Sequence, residues 1–534
     1  MKRYISAFLA LLFILTALAG CSGGNNGTEG GSTDGTAAPA DFHLDTWLSD
    51  GHVKVLGEDK IAKDYVTDKT VYMAKNEKEA FNVSFRADAD VEGLELILVQ
   101  GESDLEIEMF DEYLIETTRR KHYPDPLVPY TESFSVEKNV TKTLLVRFAS
   151  NESTKSGEHN YKFAAVLNGK TLAEYNITVN VWDFALPEVL TCESAVGLSK
   201  DKIYSNEKTT GATAGKVLTA YYETLLDYGM TPYDPPFSLT GDKVDDYLSD
   251  PRVKSVRVDY SLSDSVLAEV YAKLKSNPEW IAKAYCYPID EPLDMEDLNT
   301  LAERCERLKE IAPDIRIVVP FFVNVQVNGT TDQVDFMDEY MDIWCPKAPC
   351  WSENGWLADP LKKGYFGDRM DEQREQGDKI WWYVCWEPGS PYCNFYVNEI
   401  GLNHIELFWQ QYYYEVEGIL YWQANYWDYV DPWQDMATVP YLSTTVYGDG
   451  SLLYPGHDVG VTGPVASFRL DCIRNGMEDF DLLHMAEDLF GRDWVVEQVV
   501  KVSSSLIKHT KDAEVYAEVR KTIGDAIEKK LSGN

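Results

Sequence analysis

Apolar and polar residues alternate along the first part of the chain with the period of a strand. Between residues 172 and 181, Tyr175, Ile177, Val179 and Val181 point to one face, and polar residues separate them. Asn168-Gly169 lies between two such runs and is the strongest short hairpin signal in the chain. We therefore expect residues 42–188 to form an antiparallel β-sandwich.

The period changes after Pro187, where helical stretches such as 214–228 and 263–275 alternate with short apolar runs. Eight candidate strands occupy residues 194–198, 230–233, 253–260, 281–289, 315–323, 341–346, 379–386 and 418–424. This spacing predicts a (β/α)8 TIM-like barrel over residues 189–460. The first two strands are weak, so a distorted barrel also fits.

A C-terminal helical region is predicted over residues 461–534. Pro464 should open a helix that runs to about Leu489, and residues 492–531 should add one or two amphipathic helices. The first helix carries Arg469, Asp471, Arg474, Glu478 and Asp479. These charges either reach an active site or, as we favour, form internal salt bridges that anchor the helix to the barrel.

The most informative run is residues 281–292, an apolar strand that ends in Asp290, Glu291 and Pro292. An acidic first turn at Asp294 and an amphipathic helix follow. The carboxyl ends of barrel strands are where catalytic groups collect, so the two carboxylates are candidate catalytic residues. The alternative is that they only cap the helix.

The other predicted strand ends carry polar and indole side chains. Ten of the fourteen tryptophans fall between Trp344 and Trp433. Sugars stack their C–H faces on aromatic rings and bond polar groups through their hydroxyls. The candidate sugar contacts at these strand ends are Asn324, Lys347, Trp386, Trp422, Asn425 and Trp427, with Trp351, Trp356 and Trp433 nearby.

Adjacent carboxylates favour one mechanism of glycosidic cleavage. Neighbouring residues are poorly placed to flank one bond from opposite faces, as a conventional acid and nucleophile do. They suit substrate-assisted hydrolysis, in which a 2-acetamido oxygen attacks the anomeric carbon. One carboxylate then orients the acetamido N–H and the other serves as acid and base.

The amino terminus predicts export. A short basic start, an apolar run over residues 4–17 and Leu18-Ala-Gly-Cys21 resemble a bacterial lipoprotein signal, with residues 1–20 removed and Cys21 lipidated. A cleavable signal without lipid is the alternative. Residues 21–41 are small and polar, which indicates a flexible linker between the folded part and a membrane.

Composition excludes some ligands. The formal net charge of −39 argues against nucleic acid and against direct binding to anionic lipid. No zinc-ligand spacing occurs, so we expect neither a metal nor a cofactor. Eight cysteines follow Cys21, and both disulfides and reduced core thiols fit their positions.

Several longer motifs resemble a known bacterial family. They are residues 381–388 (WWYVCWEP), 418–427 (GILYWQANYW), 448–456 (GDGSLLYPG) and 467–481 (SFRLDCIRNGMEDFD). Together with runs at 75–81 and 181–184 they resemble the domain-of-unknown-function 4091 family, which is similar to the catalytic domain of glycoside hydrolase family 123. The resemblance covers roughly residues 65–490.

This resemblance implies a retaining hydrolase similar to β-N-acetylgalactosaminidases that works through an oxazoline. Carried over, Asp290 orients the acetamido group and Glu291 is the acid/base. Tyr287, Tyr383 and Trp427 are candidates for the family's tyrosine and aromatic sugar contacts. The expected function is hydrolysis of terminal β-linked N-acetylhexosamine by an exported, surface-anchored enzyme. A glycosidase of other specificity, a non-catalytic glycan-binding lipoprotein and a solute receptor are the alternatives.

Overall fold

The computed structural model describes residues 41–61, 66–101, 104–117, 121–352, 365–428, 431–434, 436 and 446–533. The predicted signal and Cys21, nearly all of the linker, and Trp356 lie outside these residues. Among the residues described, no helix is long and apolar enough to cross a membrane.

Two five-stranded sheets pack face to face in the N-terminal region, with orders β1-β3-β8-β5-β6 and β2-β10-β9-β4-β7. All pairs are antiparallel except β2–β10. The strands are β1 (Leu44–Asp50), β2 (Asp68–Lys75), β3 (Lys78–Ala87), β4 (Val91–Gln100), β5 (Glu106–Glu116), β6 (His122–Pro129), β7 (Phe134–Val136), β8 (Thr141–Ala149), β9 (Gly157–Leu167) and β10 (Lys170–Ala185).

The hairpin predicted at Asn168-Gly169 is present. Leu167 pairs with Lys170, and the two turn residues have φ of 51° and 75°, the left-handed values that a tight two-residue turn requires. Between the sheets, the Phe81 ring lies 5.6 Å from Phe163 and 5.9 Å from Phe148. The predicted alternation therefore places one face of each sheet in a shared core.

The second region is an α/β domain built on seven parallel strands in the order β11-β17-β16-β15-β14-β13-β12. They are β11 (Glu193–Val196), β12 (Val256–Val258), β13 (Ala284–Cys286), β14 (Arg316–Phe321), β15 (Ile343–Pro346), β16 (Lys379–Val384) and β17 (Gly418–Tyr421). Because helices cover the outer face, the strands are almost wholly apolar and buried.

A full eight-stranded barrel is not confirmed. Residues 230–233, predicted as the second strand, form only an isolated bridge between Pro232 and Val196. Tyr233 bonds the neighbouring strand on the other side by accepting a hydrogen bond from the Arg257 N–H at 3.0 Å. Pro232 has no N–H and cannot extend a ladder. The sheet is thus a seven-stranded near-barrel with an irregular segment in the eighth position.

Helices follow most of the parallel strands, and shorter elements complete the chain. The helices are α1 (Lys200–Asn206), α2 (Gly211–Asp227), α3 (Asp245–Ser249), α4 (Asp264–Lys275), α5 (Pro278–Lys283), α6 (Met295–Ile311), α7 (Gln333–Met337), α8 (Phe366–Gln376), α9 (Gly401–Tyr413), α10 (Phe468–Phe490), α11 (Arg492–Val502) and α12 (Ala513–Leu531). The remaining strands are β18 (Leu453–Pro455), β19 (Pro464–Ala466), β20 (Ser503–Ser505) and β21 (Lys508–His509), and 3-10 turns span Asp242–Val244, Ala348–Trp351 and Gly456–Val459.

Two sequence predictions of element boundaries are wrong. The strand expected over residues 281–289 contains only Ala284–Cys286, because the Asn277 side chain accepts the Glu279 N–H at 2.9 Å and starts α5. Pro464 does not open a helix but lies in β19, which pairs with β18. Helix α10 begins after Ser467, whose side chain caps Leu470.

The charges of α10 are buried and join the two regions. Arg469 pairs with Asp125 of β6 at 2.8 Å, and both side chains are completely buried. Arg147 of β8 bonds Asp471 at 2.7 Å, and Arg520 of α12 bonds Asp479 at 2.7 Å. The expectation of internal salt bridges is met, but these partners belong to the sandwich and to α12 rather than to the barrel.

We expect Arg469→Met to lower the free energy of unfolding by about 3–5 kcal/mol, because it leaves the Asp125 carboxylate buried without its cation. Urea unfolding followed by circular dichroism measures this change. Adding Asp125→Leu should recover part of the loss. Lys275→Met, which removes the exposed ion pair with Asp314, is the control and should leave stability nearly unchanged. Equal effects of the two single changes would contradict the prediction.

Candidate active site

A cavity of about 570 Å³ opens at the carboxyl ends of β12, β13, β14, β16 and β17. Both predicted catalytic carboxylates line it, with four of the eight predicted sugar contacts: Tyr287, Tyr383, Trp386 and Trp422. Its size suits one or two sugar rings. The strand ends therefore meet at one site, as expected for parallel strands.

Two tyrosines hold the two carboxylates from different strands. The Tyr287 hydroxyl, just beyond β13, donates to Asp290 Oδ1. The Tyr383 hydroxyl, at the end of β16, donates to Glu291 Oε1. Adjacent carboxylates are thus fixed separately rather than free to share one position.

Glu291 has a left-handed backbone, with φ of 41°. This conformation is uncommon in residues other than glycine and asparagine. It breaks the extended path after β13 within the pair itself. The turn places Glu291 toward β16 while Asp290 stays with Tyr287 of its own strand.

Both tyrosines remain protonated donors. Burial, followed by the negative charge of Glu291, raises the pKa of Tyr383 well above its ordinary value. For Tyr287, burial is again the largest cause, and Tyr233 and Asp290 raise the pKa further. Neither hydroxyl ionises near neutral pH, so each can stabilise a carboxylate.

Lys347 lies behind the pair and does not line the cavity. Its Nζ is 3.8 Å from Glu291 Oε1, and the side chain is only 3% exposed. The ammonium packs 4.3 Å from the centre of the Phe322 ring. The structure therefore places Lys347, predicted as a sugar contact, as a buried cation next to Glu291.

An aromatic wall stands on the β16–β17 side of the cavity. Trp386 is 41% exposed and available to a ligand. Trp422 donates its indole N–H to Asp449 at 3.1 Å, and Gly450 packs against its ring. A Cβ at residue 450 would lie 2.2 Å from that ring, so only glycine fits. The turn that contains Asp449 and Gly450 thus fixes the orientation of Trp422.

Three other predicted contacts lie outside the cavity lining. Asn425 is fully buried and bonds both the N–H and the carbonyl of Ser199 at 2.9 Å, so its amide is already used. Trp427 is 5% exposed and donates to the Leu453 carbonyl. The Asn324 amide donates to Asp332 at 3.3 Å. All three bond partners that lie outside the cavity lining.

The opposite wall is basic and was missed by sequence reasoning. Arg257 forms a two-pronged ion pair with Asp234 at 2.7 and 3.0 Å. Arg304 of α6 donates to the Pro288 carbonyl at 2.5 Å and stacks on Tyr260. Charged residues on amphipathic helices usually face solvent, so the sequence around Arg304 did not indicate that this side chain lines the cavity. Asp449 had a signal, since it lies in one of the motifs that carried the family resemblance.

One group of potential metal ligands occurs among the residues described. Cys393, Glu406 and His509 present ligand atoms within 4.8 Å of one another. None lines the cavity, and Glu406 bonds His509 directly at 2.6 Å. We assign the group a structural role between α9 and β21. The eight cysteines described, Cys393 among them, are free and buried.

Comparison with known proteins supports the family resemblance. Residues 262–486 match the family model described as Glycoside hydrolase 123, catalytic domain. The matched segment contains both carboxylates, Tyr383 and Trp422. The resemblance inferred from the sequence motifs is thereby confirmed, and it supports a glycosidase. A search of curated protein sequences found no match.

A solved structure of a family 123 glycoside hydrolase from Clostridium perfringens shares the fold. It aligns with a TM-score of 0.68 and 11% identity over 92% of this chain and 98% of that chain. A GH5 xyloglucanase from Bacteroides ovatus aligns at 0.26, with 9% identity over 79% and 99% of the two chains. A GH2 beta-galacturonidase from Eisenbergiella tayi aligns at 0.29, with 9% identity over 82% and 72%. The last two scores are too low to support an argument.

Asp449 gives the site a pH-dependent contribution to stability. Burial raises its pKa to about 6, although the donors Trp422 and Tyr421 oppose that shift. The folded state keeps this proton up to about pH 6, whereas the unfolded chain releases it near 3.8, so the free energy of unfolding falls across that range.

We therefore expect Asp449→Asn to remove a fall of about 2 kcal/mol in the free energy of unfolding between pH 4 and pH 7. Urea unfolding of both proteins at the two pH values measures it, and Trp422→Phe tests whether the indole is involved. Identical pH dependence in the parent protein and Asp449→Asn would contradict the assignment.

Proposed function

We propose that the protein is a retaining glycoside hydrolase that removes terminal β-linked N-acetylhexosamine by substrate assistance, with N-acetylgalactosamine favoured. The observation that carries the proposal is the Asp290–Glu291 pair, in which each carboxylate is held by its own tyrosine inside a sugar-sized cavity. The family 123 match over these residues supports it. The Clostridium perfringens structure is described in terms of glycolipid glycan hydrolysis, which is consistent with a glycan substrate.

In the first step the substrate's acetamido oxygen attacks the anomeric carbon and the glycosidic C–O bond breaks. Asp290 accepts the acetamido N–H and so aims that oxygen, while Glu291 donates its proton to the departing oxygen. The products are an oxazolinium ion, which keeps its N–H bonded to Asp290, and a free alcohol. Tyr287 and Tyr383 keep the carboxylates apart and oriented, which lowers the cost of reaching the transition state.

In the second step water attacks the anomeric carbon and the oxazolinium ring opens to restore the acetamido group. Glu291, now a carboxylate, takes the proton from that water, and the configuration at the anomeric carbon is retained after two inversions. Lys347 balances the charge on Glu291 at 3.8 Å. The faces of Trp386 and Trp422 offer stacking surfaces for the sugar.

We expect the 4-nitrophenyl β-N-acetylgalactosaminide to be cleaved faster than the β-N-acetylglucosaminide, and the β-galactoside, which lacks the acetamido group, not to be cleaved. Glu291→Gln and Asp290→Asn should each lower kcat by about 10²–10⁴-fold, since each removes a proton-transfer or positioning group. Nitrophenol release measures all three substrates. Glu296→Gln, an exposed change in the first turn of α6, is the matched control.

Two outcomes would contradict this mechanism. Turnover that survives in Glu291→Gln would place the acid elsewhere. Equal cleavage of the β-galactoside would mean that the acetamido group takes no part. Binding of N-acetylgalactosamine without turnover of any substrate would favour the glycan-binding alternative.

We also propose that the protein is exported and anchored to the bacterial surface by lipid on Cys21. The support is the apolar run that ends in Leu18-Ala-Gly-Cys21 and the polar residues that follow it. Acyl chains would hold the protein at the membrane, whereas its net charge of −39 would not.

Cys21→Ala should move the protein from the membrane fraction to the soluble fraction. Fractionation of cells that express the full chain, with metabolic labelling by a palmitate analogue, measures both location and lipidation. Ser32→Ala, a change within the linker that leaves Cys21 in place, is the control. A Cys21→Ala protein that remains in the membrane fraction and still takes up label would contradict the proposal.

A further inference from the structure

The cavity carries its charge unevenly. Asp290, Glu291 and the indole rings lie toward β13, β16 and β17, whereas two guanidinium groups lie on the wall formed by the ends of β12 and β13 and by α6. Arg257 is already neutralised by Asp234. The second guanidinium belongs to Arg304, and within the described part of the chain its charge is not neutralised in the way that Asp234 neutralises Arg257.

Arg304 has no ion pair among the residues that the structure describes. Its one hydrogen bond to a described residue runs from Nη1 to the Pro288 carbonyl at 2.5 Å and uses one of five N–H donors. Three residues further along α6, Arg307 pairs with Asp264 at 2.7 Å and also bonds two carbonyls. The contrast matters because acidic residues outnumber basic ones by 88 to 49 in this chain.

Arg304 is also held in position before any ligand arrives. The Tyr260 ring lies 4.3 Å below its guanidinium carbon, and the Pro288 carbonyl fixes one edge. Pro288 is two residues before Asp290, so the guanidinium is tied to the same loop as the catalytic pair. A cation fixed by stacking and one hydrogen bond keeps its remaining donors available for planar anions such as carboxylate.

We propose that Arg304 forms an anion-recognition subsite for a charged group on the glycan next to the terminal N-acetylhexosamine. The group is a uronic or sialic acid carboxylate or a sulfate ester, which present similar oxygens to a guanidinium. The subsite rests on the proposed function, because it places the acidic sugar beside the cleaved bond. It also offsets the repulsion that the Asp290 carboxylate exerts on an anionic substrate.

The test compares two substrates that differ only in charge. One is a disaccharide of N-acetylgalactosamine β-linked to glucuronic acid, and the other is its methyl ester. We expect the full-length protein to favour the acid roughly tenfold in kcat/KM, mainly through a lower KM. A roughly tenfold preference is the usual effect of one charge-assisted hydrogen bond. The ratio should fall toward one in Arg304→Gln and with added salt.

Two further variants and a second anionic substrate make the result specific. Arg307→Gln removes a neighbouring positive charge from the same helix and should keep the ratio. Arg304→Lys keeps the charge without the planar fork and should keep part of it. A disaccharide of N-acetylgalactosamine β-linked to galactose 6-sulfate, compared with its unsulfated form, shows whether sulfate or carboxylate is the preferred anion.

A ratio near one for both anionic probes, or a ratio that survives in Arg304→Gln, would overturn the subsite. If neither disaccharide is cleaved, the proposed function fails separately. Calorimetry with the same pair and Glu291→Gln protein then tests the subsite by itself. Tighter binding of the acid that disappears when Arg304→Gln is added supports it, and equal binding of acid and ester overturns it.

Discussion

The buried Arg469–Asp125 pair is the interaction on which the rest of the arrangement depends. A guanidinium has five N–H donors, and here all five are used: two bond Asp125 and the others bond the carbonyls of Phe395, Gly448 and Ser451. Removing such a cation from water is costly unless every donor is satisfied. One side chain of α10 therefore connects the sandwich to two loops of the α/β domain.

This connection reaches the cavity through the turn at residues 448–451. The turn presents Asp449 to the Trp422 indole and Gly450 to its ring. The aromatic wall of the cavity is thus oriented by a helix that lies outside the parallel strands. The two carboxylates depend on a different set of contacts, the hydrogen bonds from the tyrosines at the ends of β13 and β16. Within the cavity, the two halves of the site have separate structural supports.

Secondary structure that depends on local sequence patterns could be predicted. Contacts between segments that are far apart in the sequence could not. Alternation identified β10 and its hairpin, and apolar runs located seven parallel strands. Pro464 was misread because its local preference for a helix start lost to pairing with β18. Asn425 looked available at a strand end, but Ser199 uses its amide, and only the folded chain shows that. The position of the Arg304 guanidinium likewise depends on contacts with Pro288 and Tyr260, which lie outside its local sequence.

The left-handed backbone at Glu291 has a consequence for how this position tolerates change. A residue with a Cβ pays roughly 1 kcal/mol or more to hold φ of 41°, and glycine does not. Backbone strain alone would thus favour glycine here, while the proposed proton transfer requires the carboxylate. Backbone strain and the proposed activity therefore favour different residues at this position. Replacing Glu291 by glycine would relieve the backbone strain, but it would also remove the carboxylate that accepts the Tyr383 hydroxyl.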